Sequence, residues 1–221
     1  MLKRVTVFSG HYGSGKTNIA VNFAIGLKKC GKNVEIYDLD IVNPYFRTID
    51  AKKTLEKEGI PLTVSAFAET NVDLPSINAS SYRITDDKNS YAVIDLGGDD
   101  RGALAMGRFA DSLKKENNVD FLLVVNAYRP ETNSLLGAMQ IIKEIETASK
   151  IKFTGIVNNS NLGEQTTEKD VLGSLKLVNQ VSMESGLPIK FTTVKEELFS
   201  SLENKIENLF PIKLIKYGDW L

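Results

Sequence analysis

The chain has 221 residues, 42% of them hydrophobic and 25% charged, a length that fits one large domain and a composition ordinary for a globular protein with a sizeable core. Its 27 Lys and Arg against 28 Asp and Glu leave a net charge of −1, so no global field favours a nucleic-acid partner. No run approaches the roughly 18 uncharged apolar residues that span a bilayer, the N-terminal apolar run is too short for a secretory segment, and Cys30 is the single cysteine, which excludes an internal disulfide and makes a cytoplasmic location the expectation.

The first apolar run, 4–8 (RVTVF), predicts a strand. Residues 16–31 follow as a helix, with Ile19, Ala20, Phe23, Ala24 and Leu27 on one face and Gly31 as its stop. Cys30, before that stop, reads as a small, partly buried residue. Residues 33–40 (NVEIYDLD) predict a second strand, 47–59 an exposed helix ended by Gly59, and 62–68 a short strand. Residues 90–98 and 120–127 read as buried strands, 131–149 as a helix, 152–160 as a strand, 166–185 as a helix and 189–194 as a strand. The last residues alternate in a way that adds an edge strand and contain Pro211, which argues against a basic amphipathic membrane helix, with Lys213 and Lys216 solvated. Val/Ile/Leu-rich strands alternating with helices predict an α/β fold: a three-layer, mostly parallel sheet flanked by helices, with 1–221 as one domain.

Residues 10–17 (GHYGSGKT) match G-x-x-x-x-G-K-[ST] between a strand and a helix, the context in which that spacing carries meaning. Phosphate oxygens need several inward-pointing backbone N–H groups, and side chains at those positions would block the approach. Gly10, Gly13 and Gly15 leave such a nest open, Ser14 and Asn18 sit in and beside it, and the helix start adds its positive dipole end. Lys16 reaches the outer phosphates, and the Thr17 hydroxyl suits Mg2+.

A triphosphate site also needs a carboxylate near the metal. Asp95 ends a buried strand and is followed by Gly97 and Gly98, which let the chain approach the γ-phosphate. Asp38 and Asp40 share one side of their strand end, an arrangement suited to a hydrated cation and an attacking water. Asp99 and Asp100 read as loop residues. Pro44, Tyr45 and Phe46 after the second carboxylate read as packing against the core.

The order of these segments, a P-loop, a strand ending D-x-D, then an Asp followed by two glycines, resembles the MinD/ParA branch of P-loop ATPases, over roughly residues 4–195. Residues 37–47, 94–108 and 155–167 look like an uncharacterised bacterial subgroup of that branch. The resemblance implies a Mg2+-dependent ATP-binding protein and ATPase acting as a nucleotide-dependent switch, with an unknown protein partner and a possible homodimer. It implies that Asp40 orients the attacking water, that Asp38, Asp95 and Thr17 serve the metal, that Gly97 and Gly98 form a switch, and that Asn158 reads adenine; turn capping after the strand is the alternative reading of Asn158 and Asn159. N-K-x-D, the guanine signature, is absent at that strand end, where the chain reads NNSN.

The family's P-loop carries a lysine at its second position, which reaches a partner's phosphates; here that residue is His11. Neutral His is a poor substitute for a permanent cation, which leaves Arg47, Arg101, Arg108 and Arg129 as alternative sources. A single cysteine excludes an iron–sulfur bridge between chains of the NifH-like kind. Two other readings share the fold: an ATP-dependent small-molecule kinase or ligase of the dethiobiotin synthetase type, and a nucleotide-binding module that hydrolyses nothing.

Overall fold

Val5–Ser9 forms strand β1, and each of its residues is buried, as expected of a β-branched run covered on both faces. The structure, a computed structural model, describes residues 2–40, 48–64, 82–98 and 100–215, without the side chains of 50, 100 and 101. In chain order β1 is followed by α1 (Lys16–Lys29), β2 (Val34–Leu39), a 3-10 turn at Thr48–Ala51, α2 (Lys52–Lys57), β3 (Leu62–Val64), α3 (Arg83–Asp86) and β4 (Tyr91–Leu96). Then come α4 (Asp100–Gly107), α5 (Ala110–Glu116), β5 (Val119–Val125), α6 (Leu135–Ser149), β6 (Gly155–Asn158), α7 (Glu168–Ser185), β7 (Ile189–Lys195), α8 (Glu196–Leu202) and β8 (Leu209–Ile212).

Among the described residues the strands form one eight-stranded sheet, ordered β3-β2-β4-β1-β5-β6-β7-β8. Every pairing is parallel, including that of the edge strand β8. The chain builds outward from β1 on one side through β2 and β3, then crosses from β4 to β5 on the other. The C-terminal ends of β1, β4 and β5 therefore meet at a switch point, where open α/β sheets form their ligand crevice.

Side-chain alternation divides the core. Val7, Tyr37, Leu39, Ile94, Leu96, Leu123 and Ile156 face the layer containing α4, α6 and part of α7. Phe8, Ile36, Val93, Val124 and Val157 face α1, through Ile19, Ala20 and Ala24. Phe8 is fully buried and meets Phe23 of α1 edge-on, with ring centroids 5.4 Å apart; truncating such a core ring costs about 3–5 kcal/mol.

Several boundaries differ from the sequence reading for local reasons. Helix α6 starts at Leu135 because Ser134 caps it by accepting from Gly137 N at 3.2 Å. Helix α7 starts at Glu168 because Thr167 and Asp170 form a capping box. Strand β6 starts at Gly155, since Phe153 N is taken by the Glu146 carboxylate at 2.9 Å. Asp100, expected in a loop, begins helix α4, and α5 follows at 110–116, a stretch the sequence reading left unassigned. Cys30 is exposed, because as the α1 C-cap it has left the buried face. The expected helix at 47–59 is a 3-10 turn leading into α2 and ends at Gly59 as expected. Arg47, Pro44, Tyr45, Phe46, Asp99, Lys216 and most of the strand expected at 62–68 lie outside the described residues. No helix among the described residues is long and apolar enough to cross a membrane.

Candidate nucleotide site

Strand β1 ends at Ser9, and the chain turns through residues 10–15 into α1. Gly10, Gly13 and Gly15 all have positive φ, at 149°, 75° and 88°. At Gly15, the left-handed cap of α1, a Cβ would also collide with the Asn159 side chain, so both conformation and space demand glycine. Lys16 is buried and its Nζ donates to the His11 carbonyl at 3.4 Å, arching back over the loop. Behind the loop, Gly98 packs so close that a Cβ there would meet the Gly10 carbonyl. The expected pair Gly97 and Gly98 thus brings the end of β4 against the P-loop.

The alternation that sorts the core also sorts the acids. Asp38, Asp40 and Asp95 have the parity of Ile36 and Val93, which face α1, so they share the face of Lys16 and Thr17. Asp38 and Asp95 are direct neighbours in the β2–β4 register. Both are fully buried, and Asp40 is nearly so. Asp38 Oδ1 accepts from Asp40 N at 3.1 Å. Asp95 Oδ2 accepts from Thr17 Oγ1 at 2.6 Å and from Thr48 Oγ1 at 2.9 Å. Asp95 Oδ1 and the buried hydroxyl of Ser14 have no hydrogen-bond partner among the described residues. Burial pushes the Asp95 carboxyl above its usual range; the Lys16 cation opposes that shift and the Asp40 charge adds to it.

A cavity of about 430 Å³ opens over this cluster, within the range of small-ligand pockets. At one end it is lined by Gly13, Gly15, Lys16, Thr17, Asp40 and Arg129, with Tyr12 and Asn18 beside them. The far end is formed by Asn161, Gly163, Leu214 and Ile215, with Asn159 against the P-loop itself. Asn22 of α1 holds that far wall: its amide donates to the Lys213 carbonyl and accepts from Lys213 N, both at 2.9 Å. Asn18 Oδ1 accepts from Ile215 N at 3.2 Å.

Asn158 does not reach the cavity. It has the parity of Ile156 and turns toward α7, where its amide donates to Ser174 Oγ at 3.0 Å and accepts from Ser160 N and Oγ. Asn159 is the asparagine on the P-loop face, donating to the Ser14 carbonyl at 2.6 Å. Strand parity carried forward from Val157 was the signal that separates the two. Of the four arginines, Arg129 lines the cavity, Arg108 is exposed and outside its lining, and Arg47 and the Arg101 side chain are not among the described parts. Thr48, unremarked in the sequence, closes over Asp95.

Among the described residues no three His, Cys, Asp or Glu side chains converge as a metal cluster. The residues present do fit a magnesium ion that arrives with phosphates. All their donors are hard oxygens, the Asp95 Oδ1 lone pairs are unused, and the Thr17 hydroxyl lies against the same carboxylate.

A glycine-lined anion nest, a buried lysine and carboxylates at the strand ends of a parallel sheet define a P-loop nucleotide-binding protein of the α/β class. Within that class the chain belongs to the CobQ/CobB/MinD/ParA nucleotide binding domain family, whose profile matches residues 5–172. No curated protein sequence is significantly similar to it. Similar solved structures include the cell division protein FtsY of Thermotoga maritima, at 23% identity and TM-score 0.59, covering 87% of this chain and 62% of that one. Chloroplast FtsY of Physcomitrella patens has a TM-score of 0.60 at 18% identity, covering 87% of this chain and 58% of that one. The signal recognition particle 54 kDa protein of Aeropyrum pernix, solved with GDP, has a TM-score of 0.54 at 18% identity, covering 85% of this chain and 40% of that one. The chain thus spans less than two thirds of each, and the likeness is one of fold.

Proposed function

We propose that this chain binds Mg2+-ATP in the cavity over the P-loop and hydrolyses it slowly, as a nucleotide-dependent switch. The observation that carries the reading is the buried Asp95 carboxylate, with one oxygen held by Thr17 and Thr48 and the other without a partner among the described residues. Thr17 and Asp95, with Asp38 behind them, would hold the magnesium ion, which supplies charge neutralisation on the phosphate oxygens. Lys16, now resting on the His11 carbonyl, needs only to swing off it to meet a phosphate oxygen. Asp40 ends its strand at the cavity wall, where its carboxylate orients a water for in-line attack.

ATP is preferred because, among the described residues, the far end of the cavity carries no carboxylate; Asp40, the one acid in that described lining, stands beside the P-loop. Guanine presents N–H donors on its pairing edge that call for an acceptor such as a carboxylate. Leu214 and Ile215 instead offer apolar contact to a purine face, and the Asn161 amide already donates to the Asn159 carbonyl and accepts from Gly163 N. The GDP complex quoted above belongs to a different protein at 18% identity.

Asp40→Ala tests the hydrolytic part. The variant is expected to keep ATP affinity within a few-fold while losing about 100-fold in turnover. Unchanged turnover would remove Asp40 from the mechanism, and a wild type without turnover would reduce the protein to a binding module. ATP consumption that begins only when a carboxylate or hydroxyl metabolite is added would favour the kinase or ligase reading.

A further inference from the structure

The loop that follows β5 wraps the outside of the P-loop. Its backbone is fixed by internal hydrogen bonds. Thr132 Oγ1 donates to the Asn126 carbonyl at 2.6 Å, Tyr128 N donates to Asn126 Oδ1 at 3.0 Å, and Arg129 N donates to the Asn126 carbonyl at 3.1 Å. Tyr128 OH ties the same loop to the Asp170 carbonyl on α7 at 2.7 Å. Asn126 and Thr132 are both almost completely buried.

From this rigid turn Arg129 extends over the P-loop. Its Nε donates to the Gly13 carbonyl at 2.9 Å, and the guanidinium packs against that glycine, where an added Cβ would stand 3.2 Å from Nε and 3.3 Å from Cζ. Among the described residues the Arg129 side chain forms no ion pair, and Nε to Gly13 is its one side-chain hydrogen bond, so both Nη groups keep their donors there. The residue lines the same cavity as Lys16. His11, at the second P-loop position, is turned to the same loop, with Nδ1 3.4 Å from the Glu131 carboxylate.

We infer that Arg129 is a second phosphate-binding cation, supplied by the chain to its own nucleotide. The inference rests on the proposed function and deepens it. A permanent, planar cation with free donors, anchored by its Nε to the loop that grips the phosphates, is placed to neutralise the polyphosphate chain. Because the anchor is a backbone carbonyl and the turn is already rigid, little freedom is lost when an anion arrives.

The test is calorimetric titration of Mg2+-ATP into the wild type, R129Q and R129K at two salt concentrations, with unfolding midpoints as a control. A charge-assisted contact predicts a loss of about 10–100-fold in affinity for R129Q. It also predicts recovery of most of that loss in R129K, and a steeper fall of affinity with salt in the wild type than in R129Q. A wild type that binds ATP while R129Q binds it equally well would overturn the inference and leave the proposed function standing. R129K as impaired as R129Q, with the salt dependence of the wild type retained, would also overturn it, since it would confine Arg129 to shaping the loop through Gly13. A wild type that binds no nucleotide would remove the proposed function and this inference together.

Discussion

Thr17 Oγ1 donates to Asp95 Oδ2 at 2.6 Å, joining the first turn of α1 to the end of β4 across the floor of the cavity. The bond links the phosphate-binding loop to the carboxylate that ends its neighbouring strand, and its other consequence is electrostatic. With Thr48 on the same oxygen, the hydroxyls direct Oδ1 away from themselves. The buried carboxyl, pushed up by desolvation, gains most from a divalent cation.

Asp95→Asn separates these effects. The amide oxygen still accepts from Thr17 and Thr48, and the buried charge is gone, so stability should hold or rise by up to about 1 kcal/mol. The magnesium-dependent part of ATP affinity should fall at least tenfold, while binding in EDTA stays unchanged. Titrations with and without the metal read this directly.

Gly15→Ala should be costly for a different reason. A φ of 88° and a collision with Asn159 act together, and a residue held in such a conformation costs of order 1–3 kcal/mol. A drop of about 2–12 °C in the unfolding midpoint is expected for a chain of this size, together with loss of nucleotide binding.

Arg4 supplies a pH-dependent prediction. It is buried at the start of β1, pairs with Glu116 at the end of α5, and donates to the carbonyls of Ile84 at 2.7 Å and Asp87 at 2.8 Å. Burial alone would raise the Glu116 carboxyl, but hydrogen bonds from Arg4 and Lys88 outweigh it and hold the group below the usual carboxylate range. A depressed carboxyl stabilises the fold above its unfolded pKa of about 4.3, and that contribution is lost as pH falls through the lower folded value. Arg4→Met should destabilise by about 3–5 kcal/mol at pH 7, and the gap to wild type should narrow below about pH 4. Urea midpoints across pH measure it.

Asn22→Ala releases the segment that walls the far end of the cavity. Two hydrogen bonds to Lys213 disappear, a local loss of about 1–2 kcal/mol. Faster amide exchange at 213–215 and a roughly three- to tenfold weaker ATP affinity are expected. Unchanged affinity would place the base elsewhere.

Much of this site was legible in the sequence because its chemistry is local. The glycines, lysine and threonine of the P-loop fall within residues 10–17, and Asp38, Asp40 and Asp95 lie at the ends of strands whose apolar runs announce them. What the sequence hid depends on packing. Helix α4 contains Gly102 and Gly107, which lower helix propensity. A Cβ at Gly102 would meet the Gly97 carbonyl at 2.7 Å, so a close backbone contact demands that glycine inside a helix, whereas one at Gly107 would only touch the carbonyls of Ala148 and Ser149 at 3.4 Å. The choice between Asn158 and Asn159 turned on strand parity, which consecutive identical residues do not reveal by type. Arg129 stood among four candidates until the turn after β5 placed it over Gly13.

The central claim is that the hollow lined by Gly13, Gly15, Lys16 and Thr17 grips a magnesium-bound triphosphate. Calorimetric titration of the wild-type protein with Mg2+-ATP and Mg2+-GTP, alongside Lys16→Ala, tests it most directly. Saturable one-site binding of ATP, tighter than GTP, is expected, with its loss in Lys16→Ala while the unfolding midpoint is preserved. Absence of heat from both nucleotides in the wild type, or unchanged ATP affinity in Lys16→Ala, would contradict it.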